Sequence, residues 1–393
     1  MLYTDQQHES SIIKTDGLST ISTKSERNRE NLPSCEVKWE LMTRERDLSR
    51  LKDAAKNGQT APNFNETLAN LKKLKLPEND VNHLFDADYV TRPNTAIWEP
   101  SNCKSEEDGK TMEIAIIICY REREHQLKYL MYYLFPLLQK QKQTFSIYLV
   151  EQGFENESES SQGLFNRAKL FNVGYAEAIK ENPNFNCFTF HDVDLILENE
   201  NVTYSCDWKN PRHLTSSISK FNYKILPNKK MFGGVSQMTF EQLNKVNGYA
   251  NTFWGWGGED DQMFARLNYA RYGLTRPGYE SRWFMIPHAH EKTNNPNPYR
   301  KQQVKSTGPK HWAADGISSL KYKVLEKKVE EGSMFTRIVA DIFAPFDMDE
   351  AYEEFKNVLG DGQAQKSSSE KETRETSEEE EITVELNNDP WKV

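Results

Sequence analysis

No run of 18 or more apolar residues occurs in this 393-residue chain, so no segment is predicted to span a membrane. The longest apolar stretch, Ile114–Cys119, has the length of a strand. The first 24 residues are polar and lack the apolar core of a secretory signal, so no secretory address is legible. Cysteine is scarce. Five cysteines are too few for a disulfide scaffold, they lack zinc-finger spacing, and their odd number leaves at least one free thiol. Positive charge is not in excess either. The net charge is −9, of which residues 361–393 hold −6, and the near-neutral remainder has no basic stripe, which argues against nucleic acid as a partner. Also missing are a G-x-x-x-x-G-K-[ST] phosphate loop, a G-x-G-x-x-G after a strand and an H-E-x-x-H. Gly233-Gly234-Val235-Ser236-Gln237 lacks the final glycine of a nucleophile elbow.

What the chain does have is aromatic: 8 Trp, 17 Tyr and 20 Phe, within an apolar fraction of 37% diluted by polar flanks. Residues 1–34 read as a disordered or stem segment, 35–84 as a sparse helical extension, 85–315 as the catalytic-sized domain, 316–359 as a C-terminal helical extension and 360–393 as an acidic disordered tail. N-x-[ST] acceptor sites at Asn65, Asn156 and Asn201 hint weakly at a secretory lumen.

Glu113–Ile118 is a continuous apolar run, as a buried parallel strand requires. Leu127, Leu130, Met131, Leu134, Leu137 and Leu138 follow at helical spacing, with Pro136 as an expected kink. Phe145–Val150 reads as a second strand, Phe165–Lys180 as a second helix and Asn186–Phe190 as the start of a third strand. That alternation predicts an α/β fold with an open sheet, whose ligands bind beyond the carboxyl ends of the strands.

Two polar clusters fall at those ends. Asp192-Val193-Asp194 follows the third strand and is read either as a divalent-cation and diphosphate site or as a solvated loop. Arg121 and Arg123 follow the first and are read as phosphate-binding forks or as ordinary surface arginines. The stretch Phe253-Trp-Gly-Trp-Gly-Gly-Glu-Asp-Asp261 combines flat aromatic plates, flexible backbone and three carboxylates. One reading is a lid over a sugar, with carboxylates to take hydroxyl protons; the other is a tight turn with a core tryptophan before a helix cap. His288 and His290 could share a strand face suited to metal, whereas the soft thioether of Met285 is not nominated by spacing.

Taken together, Phe165-Asn-Arg-Ala-Lys-Leu-Phe-Asn-Val-Gly174, Asp192-Val-Asp194-Leu-Ile, Phe232-Gly-Gly-Val-Ser236, Asn247-Gly248, Trp254-Gly-Trp-Gly-Gly-Glu-Asp-Asp261 and Asn295-Pro-Asn-Pro298 resemble the animal β-1,4-galactosyltransferase family, in order over about residues 100–310. The resemblance implies a GT-A fold: a central, mostly parallel sheet with helices on both faces and a mobile Trp/Gly lid. It implies an inverting, Mn²⁺-dependent transfer from a UDP-sugar to the 4-hydroxyl of a terminal GlcNAc on a glycan or glycolipid. By the matched motifs Asp194, Met285 and His288 are the metal ligands, and Asp192 lies beside the ribose and diphosphate with Val193. Arg121 and Arg123 match the family's uridine-binding motif, with Cys119 and Tyr120 replacing its first two residues. Phe165, Arg167 and Trp256 belong with the donor, Trp256 as the lid tryptophan. Asp260 matches the acceptor-binding general base, flanked by Glu259 and Asp261, and Gly258 and Arg300 belong with the acceptor.

Met231 stands where vertebrate members carry a tyrosine against the donor's 2-substituent, while invertebrate GalNAc-transferring members carry a smaller aliphatic residue. That tips the expected donor to UDP-GalNAc, with UDP-Gal the alternative. Lys301 replaces an aromatic residue of the acceptor pocket. Cys187 and Cys206 match a family disulfide, Cys35 and Cys103 are candidates for a second, and Cys119 is the odd thiol. Golgi-lumen residence is implied by the family, whose N-terminal anchor is not visible in this sequence. An inactive sugar-binding protein on the same fold is the main rival, disfavoured by the presence of Asp194, His288 and Asp260; a nucleotidyltransferase would leave Trp254–Asp261 unexplained.

Overall fold

A computed structural model describes residues 32–38, 42, 46, 48, 86–155, 163–224, 231–287, 296–329 and 333–360. Most of the stem and of the 35–84 segment, the acidic tail from residue 361, His288, His290 and the acceptor sites at Asn65 and Asn156 lie outside them. Leu48, from the 35–84 segment, is buried in the core.

The main sheet is built from β1 (Tyr89–Thr91), β2 (Trp98–Pro100), β3 (Glu113–Tyr120), β4 (Thr144–Gly153), β5 (Cys187–His191), β7 (Arg212–His213), β9 (Val235–Thr239), β11 (Lys323–Lys328) and β12 (Thr336–Asp341). A small second sheet holds β6 (Leu195–Leu197), β8 (Ser217–Ile218) and β10 (Arg282–Met285). At the centre β12, β4, β3 and β5 run parallel, and the strands flanking them are antiparallel. β4 is ten residues long, so one edge serves two neighbours: β2 meets it at Phe145 and β12 pairs from Tyr148 to Gly153.

The apolar run of β3 faces both ways because successive side chains point to opposite faces. Ile114, Ile116 and Ile118 pack with Leu127, Leu130, Met131 and Leu134 of α1 (Glu124–Lys140), a helix that runs through Pro136. Ala115, Ile117 and Cys119 pack on the other face with Ala168, Phe171 and Val173 of α2 (Arg167–Glu181). The close approach of α2 needs Gly174, where an added Cβ would lie 2.3 Å from Ile117.

The 316–359 segment is not a helical extension. It contributes the β11–β12 hairpin and then a single helix, α7 (Met348–Leu359). The alternating burial of Thr336, Ile338 and Ala340 marks β12 as a half-buried strand, and its pairing with β4 carries the catalytic-sized domain past residue 315. Cys187–Cys206 and Cys35–Cys103 are both joined, and Cys119 is a buried free thiol. No helix among the described residues is long and apolar enough to cross a membrane.

Candidate active site

The polar residues gather where the parallel strands end. β3 ends at Tyr120, ahead of Arg121 and Arg123; β5 ends at His191, ahead of Asp192 and Asp194. β9 runs antiparallel to β5, with Val235 opposite His191, so Met231–Gly234 enter at the same end. The N-termini of α2 and of α4 (Glu259–Tyr269) face them. Asn166 caps α2 by accepting the Lys169 amide and donates to the Asn251 carbonyl at 2.6 Å. The Gly255 amide donates to the Phe165 carbonyl at 2.9 Å, stitching the Trp/Gly loop to the entry of α2.

Arg167 is the hub. Its Nε donates to Asp192 Oδ1 at 2.7 Å, Nη1 reaches Glu259 Oε1 at 3.4 Å, and the guanidinium lies 4.4 Å from the Phe171 ring centre. The Asp192 amide donates to the Gly234 carbonyl at 3.1 Å. One cation thus ties the Asp-Val-Asp turn to the acidic helix start. Burial lowers the tendency of Arg167 to stay charged, but Asp192 and Glu259 more than offset it, and its pKa is raised. Burial lifts Asp192 to about 6, with Arg167 opposing and Asp194 adding. Burial and then the Asp260 charge lift Glu259 to about 7, with Arg167 opposing.

Glu259, Asp260 and Asp261 occupy the first turn of α4, where carboxylates complement the helix dipole. Gly258, at φ 100°, supplies the N-cap in a left-handed conformation that L side chains rarely adopt. The helix-cap reading of this stretch is what the backbone shows: the acids begin a helix, with Glu259 turned to Arg167, Asp260 to Gly233 and Asp261 exposed. Asp260 lies flat against Gly233, where an added Cβ would sit 2.6 Å from Oδ2. Gly233 carried no role in the sequence reading; its Gly-Gly pair was the available signal.

The two tryptophans part company. Trp254 is fully buried and its indole N–H donates to Glu354 of α7 at 2.7 Å, so it is the core tryptophan of the turn and not a sugar platform. Trp256 stays partly exposed and bridges Pro296, with the Arg300 guanidinium 5.3 Å from its ring centre. Gly257 permits this, since a Cβ there would lie 2.8 Å from Arg300 Cδ. Arg300 opens α5 (Arg300–Ser306), and Lys301 beside it is exposed.

Arg121 rests over the Phe165 ring at 4.7 Å and donates to the Gly163 carbonyl at 3.1 Å; burial lowers its pKa to about 10. Arg123 is also lowered by burial, with Asp194 opposing. Both arginines are half-buried, Arg121 held by these contacts and Arg123 donating to the Glu122 carbonyl at 3.3 Å. Cys119 donates to the Arg167 carbonyl at 3.2 Å, and burial pushes its thiol well up, so it stays protonated.

Asp194 is buried, and its carbonyl accepts the Ile286 amide at 2.8 Å, while Met285 pairs with Leu195. Two of the three expected metal ligands thus lie on adjoining backbone, and the third, His288, falls outside the described residues. Among the described residues no three His, Cys, Asp or Glu side chains gather as a metal site. A carboxylate and a thioether, brought onto adjoining backbone, are the donors these two residues offer. Val193 is buried in the core between the two aspartates. Asn201, the acceptor site inside the described residues, is half-buried and donates to Asn199 Oδ1 at 3.1 Å.

The raised Glu259 pKa has a measurable consequence. A carboxyl whose folded pKa exceeds its unfolded value favours folding below the unfolded pKa, and that stability is lost as pH rises through the folded value. Glu259→Gln is therefore expected to stabilise the protein more at pH 8 than at pH 5, by about 1–3 kcal/mol. Thermal unfolding of both proteins at the two pH values checks this; an equal effect at both removes the buried charge.

Two family models match in sequence. The N-terminal region of glycosyl transferase group 7 covers residues 61–207, and the N-terminal domain of galactosyltransferase covers residues 212–289. The chain is 40% identical over 249 residues to the Bos taurus β-1,4-galactosyltransferase 1, covering 63% of this chain and 58% of that protein. It is 38% identical over 272 residues to the Mus musculus enzyme of that name, covering 68% and 64% respectively. The matched part thus spans about three fifths of these relatives' length. In structure, the Drosophila β-1,4-galactosyltransferase 7, in a mutant form with manganese, UDP-Gal and xylobiose, superposes with a TM-score of 0.51 at 23% identity over 62% of this chain and 98% of that one. The fold is the GT-A fold of these transferases, and by its matched sequence the chain belongs to the β-1,4-galactosyltransferase family.

Proposed function

We propose that the protein is an inverting, Mn²⁺-dependent hexosyltransferase that moves GalNAc from UDP-GalNAc to the 4-hydroxyl of a terminal GlcNAc on a glycoconjugate in the Golgi lumen. The observation that carries the reading is the convergence, through Arg167, of the Asp192 turn, the Gly233-Gly234 segment and the Glu259-Asp260 helix start on one end of the sheet. Donor-side and acceptor-side carboxylates then share one cleft, as a single in-line displacement needs.

Asp260 takes the proton of the acceptor hydroxyl as that oxygen attacks the anomeric carbon, and UDP leaves from the opposite face. One displacement inverts the anomeric centre, so no nucleophilic carboxylate is required. Arg167 holds Glu259 and Asp192 apart and oriented while both sides of the reaction are charged. Arg121, Arg123 and Phe165 form a cationic and aromatic edge suited to uridine. Trp256, the lid tryptophan on the donor side, lies beside Arg300, which lines the acceptor side with Gly258 and Asp261, and the Gly255–Gly258 backbone serves as the lid hinge. Asp194, Met285 and His288 would hold the cation, which when bound offsets the charge growing on the departing diphosphate.

Met231 supports GalNAc as the donor sugar. An unbranched thioether leaves an apolar slot that a tyrosine would fill, and each buried CH₂-sized group contributes about 0.8 kcal/mol. Galactose is the second reading, favoured by the names of the relatives. Met231→Tyr is expected to shift the GalNAc-to-Gal ratio at least about tenfold toward Gal, on the order of 1.4 kcal/mol. Rates with both donors at limiting concentration decide it. An unchanged ratio, or a wild type that already prefers UDP-Gal, removes the GalNAc assignment and leaves the galactosyl reading.

A further inference from the structure

The backbone on which Met231 and Gly233 sit is held from outside the proposed cleft. Arg276 Nη2 donates to the Met231 carbonyl at 2.7 Å, and Nε of the same guanidinium donates to His213 Nδ1 at 3.1 Å. With Nδ1 accepting, the proton of the neutral imidazole resides on Nε2. Nε2 lies 2.9 Å from the Gly233 carbonyl and 2.9 Å from Thr215 Oγ1, and the Thr215 hydroxyl donates to that same carbonyl at 2.8 Å. Burial, then the Arg276 charge, pull His213 down to about 3, so the ring stays neutral. Gly234 is at φ +77°, and a Cβ on it would meet Thr215 Oγ1 at 2.6 Å, so the segment fits this cradle only as glycine. The guanidinium itself is anchored, because the preceding residue, Thr275, bridges β7 at Arg212 and accepts the His213 amide at 2.9 Å.

We propose that Arg276, acting directly on Met231 and through His213 on Gly233, is a positioning residue that sets donor-sugar selection. The inference rests on the transferase reading of the cleft. The two held carbonyls fix the backbone of Met231, the residue expected at the donor's 2-substituent, and of Gly233, which lies against Asp260. A lysine ammonium is a single nitrogen and can serve one of the two acceptors but not both in the same fork. The clamp thus gives a residue remote from uridine control over how the hexose is read.

The test compares wild type, R276A and R276K in steady-state transfer from UDP-Gal and UDP-GalNAc, inhibition by UDP alone, and amide hydrogen exchange across residues 231–236. For R276A the KM for the preferred UDP-sugar is expected to rise about tenfold or more and the donor ratio to move toward one. The inhibition constant of UDP, which lacks the hexose, should stay within about twofold. Exchange across 231–236 should quicken at least about tenfold, and R276K should fall between the two proteins in every readout. An unchanged donor ratio, or loss of UDP affinity in step with the KM change, overturns the proposal. Should R276A fail to fold, R276K decides by the same readouts. A wild type that transfers neither hexose overturns the transferase reading instead, and the clamp then stands or falls on whether R276A accelerates exchange.

Discussion

Asp260→Asn is expected to lower transfer by about 10²–10⁴-fold, the usual cost of losing a general base, while UDP affinity in the presence of Mn²⁺ stays nearly intact. The amide has the carboxylate's shape but cannot take the acceptor's proton. The fold should tolerate the change. Asp260 accepts the Asp261 amide at 3.0 Å and borders Gly233, and an amide oxygen can keep both contacts. Loss of one negative charge at the start of α4 costs about 0.3–1 kcal/mol. Comparison of kcat with UDP titration in the same preparation separates chemistry from binding. A variant that keeps more than about a tenth of wild-type activity removes Asp260 from the role of base.

Asp194→Ala is expected to abolish the metal-dependent part of donor affinity, a loss of at least about 100-fold or ~2.7 kcal/mol. Asp194 is buried where β5 gives way to β6, beside the end of β10 that carries Met285. Its backbone carbonyl, not its side chain, accepts the Ile286 amide, so truncation leaves the junction of the small sheet in place. His288→Ala should act in the same direction. Calorimetry of UDP-sugar with and without Mn²⁺ measures both. Equal affinity in wild type and either variant removes that residue from the metal site.

The central strands were legible because their signal is local. After Glu113 the β3 run is apolar from Ile114 to Cys119, which is what burial on two faces demands, and the leucines of α1 recur within single turns. The site's position followed from the same pattern, since polar residues directly after such strands can only collect at one edge of the sheet. β12 was missed for the opposite reason. Its partner, β4, lies some 190 residues earlier, and the alternation of β12 is one of burial that the sequence Thr336–Asp341 does not display by itself. Trp254 and Trp256 are alike in the chain, yet Trp254 is claimed by Glu354, a partner 100 residues away. The Arg167 hub was half visible. Arg167 and Asp192 read as donor contacts and Glu259 as a neighbour of the general base, but the ion pair that joins Arg167 to Glu259 spans 92 residues and depends on the α4 N-terminus meeting α2. The link from Arg276 to Met231 and His213 has no local signal at all.

We propose hexosyl transfer at a cleft where Asp260 faces a cation-held UDP-sugar. It is tested most directly by incubating the purified protein with Mn²⁺, a terminal-GlcNAc acceptor and, separately, UDP-GalNAc or UDP-Gal, then determining the linkage of the product. A β-1,4-linked disaccharide, formed faster from UDP-GalNAc and absent in the presence of chelator, is the expected result. No disaccharide from either donor, or equal transfer after the metal is removed, would contradict it.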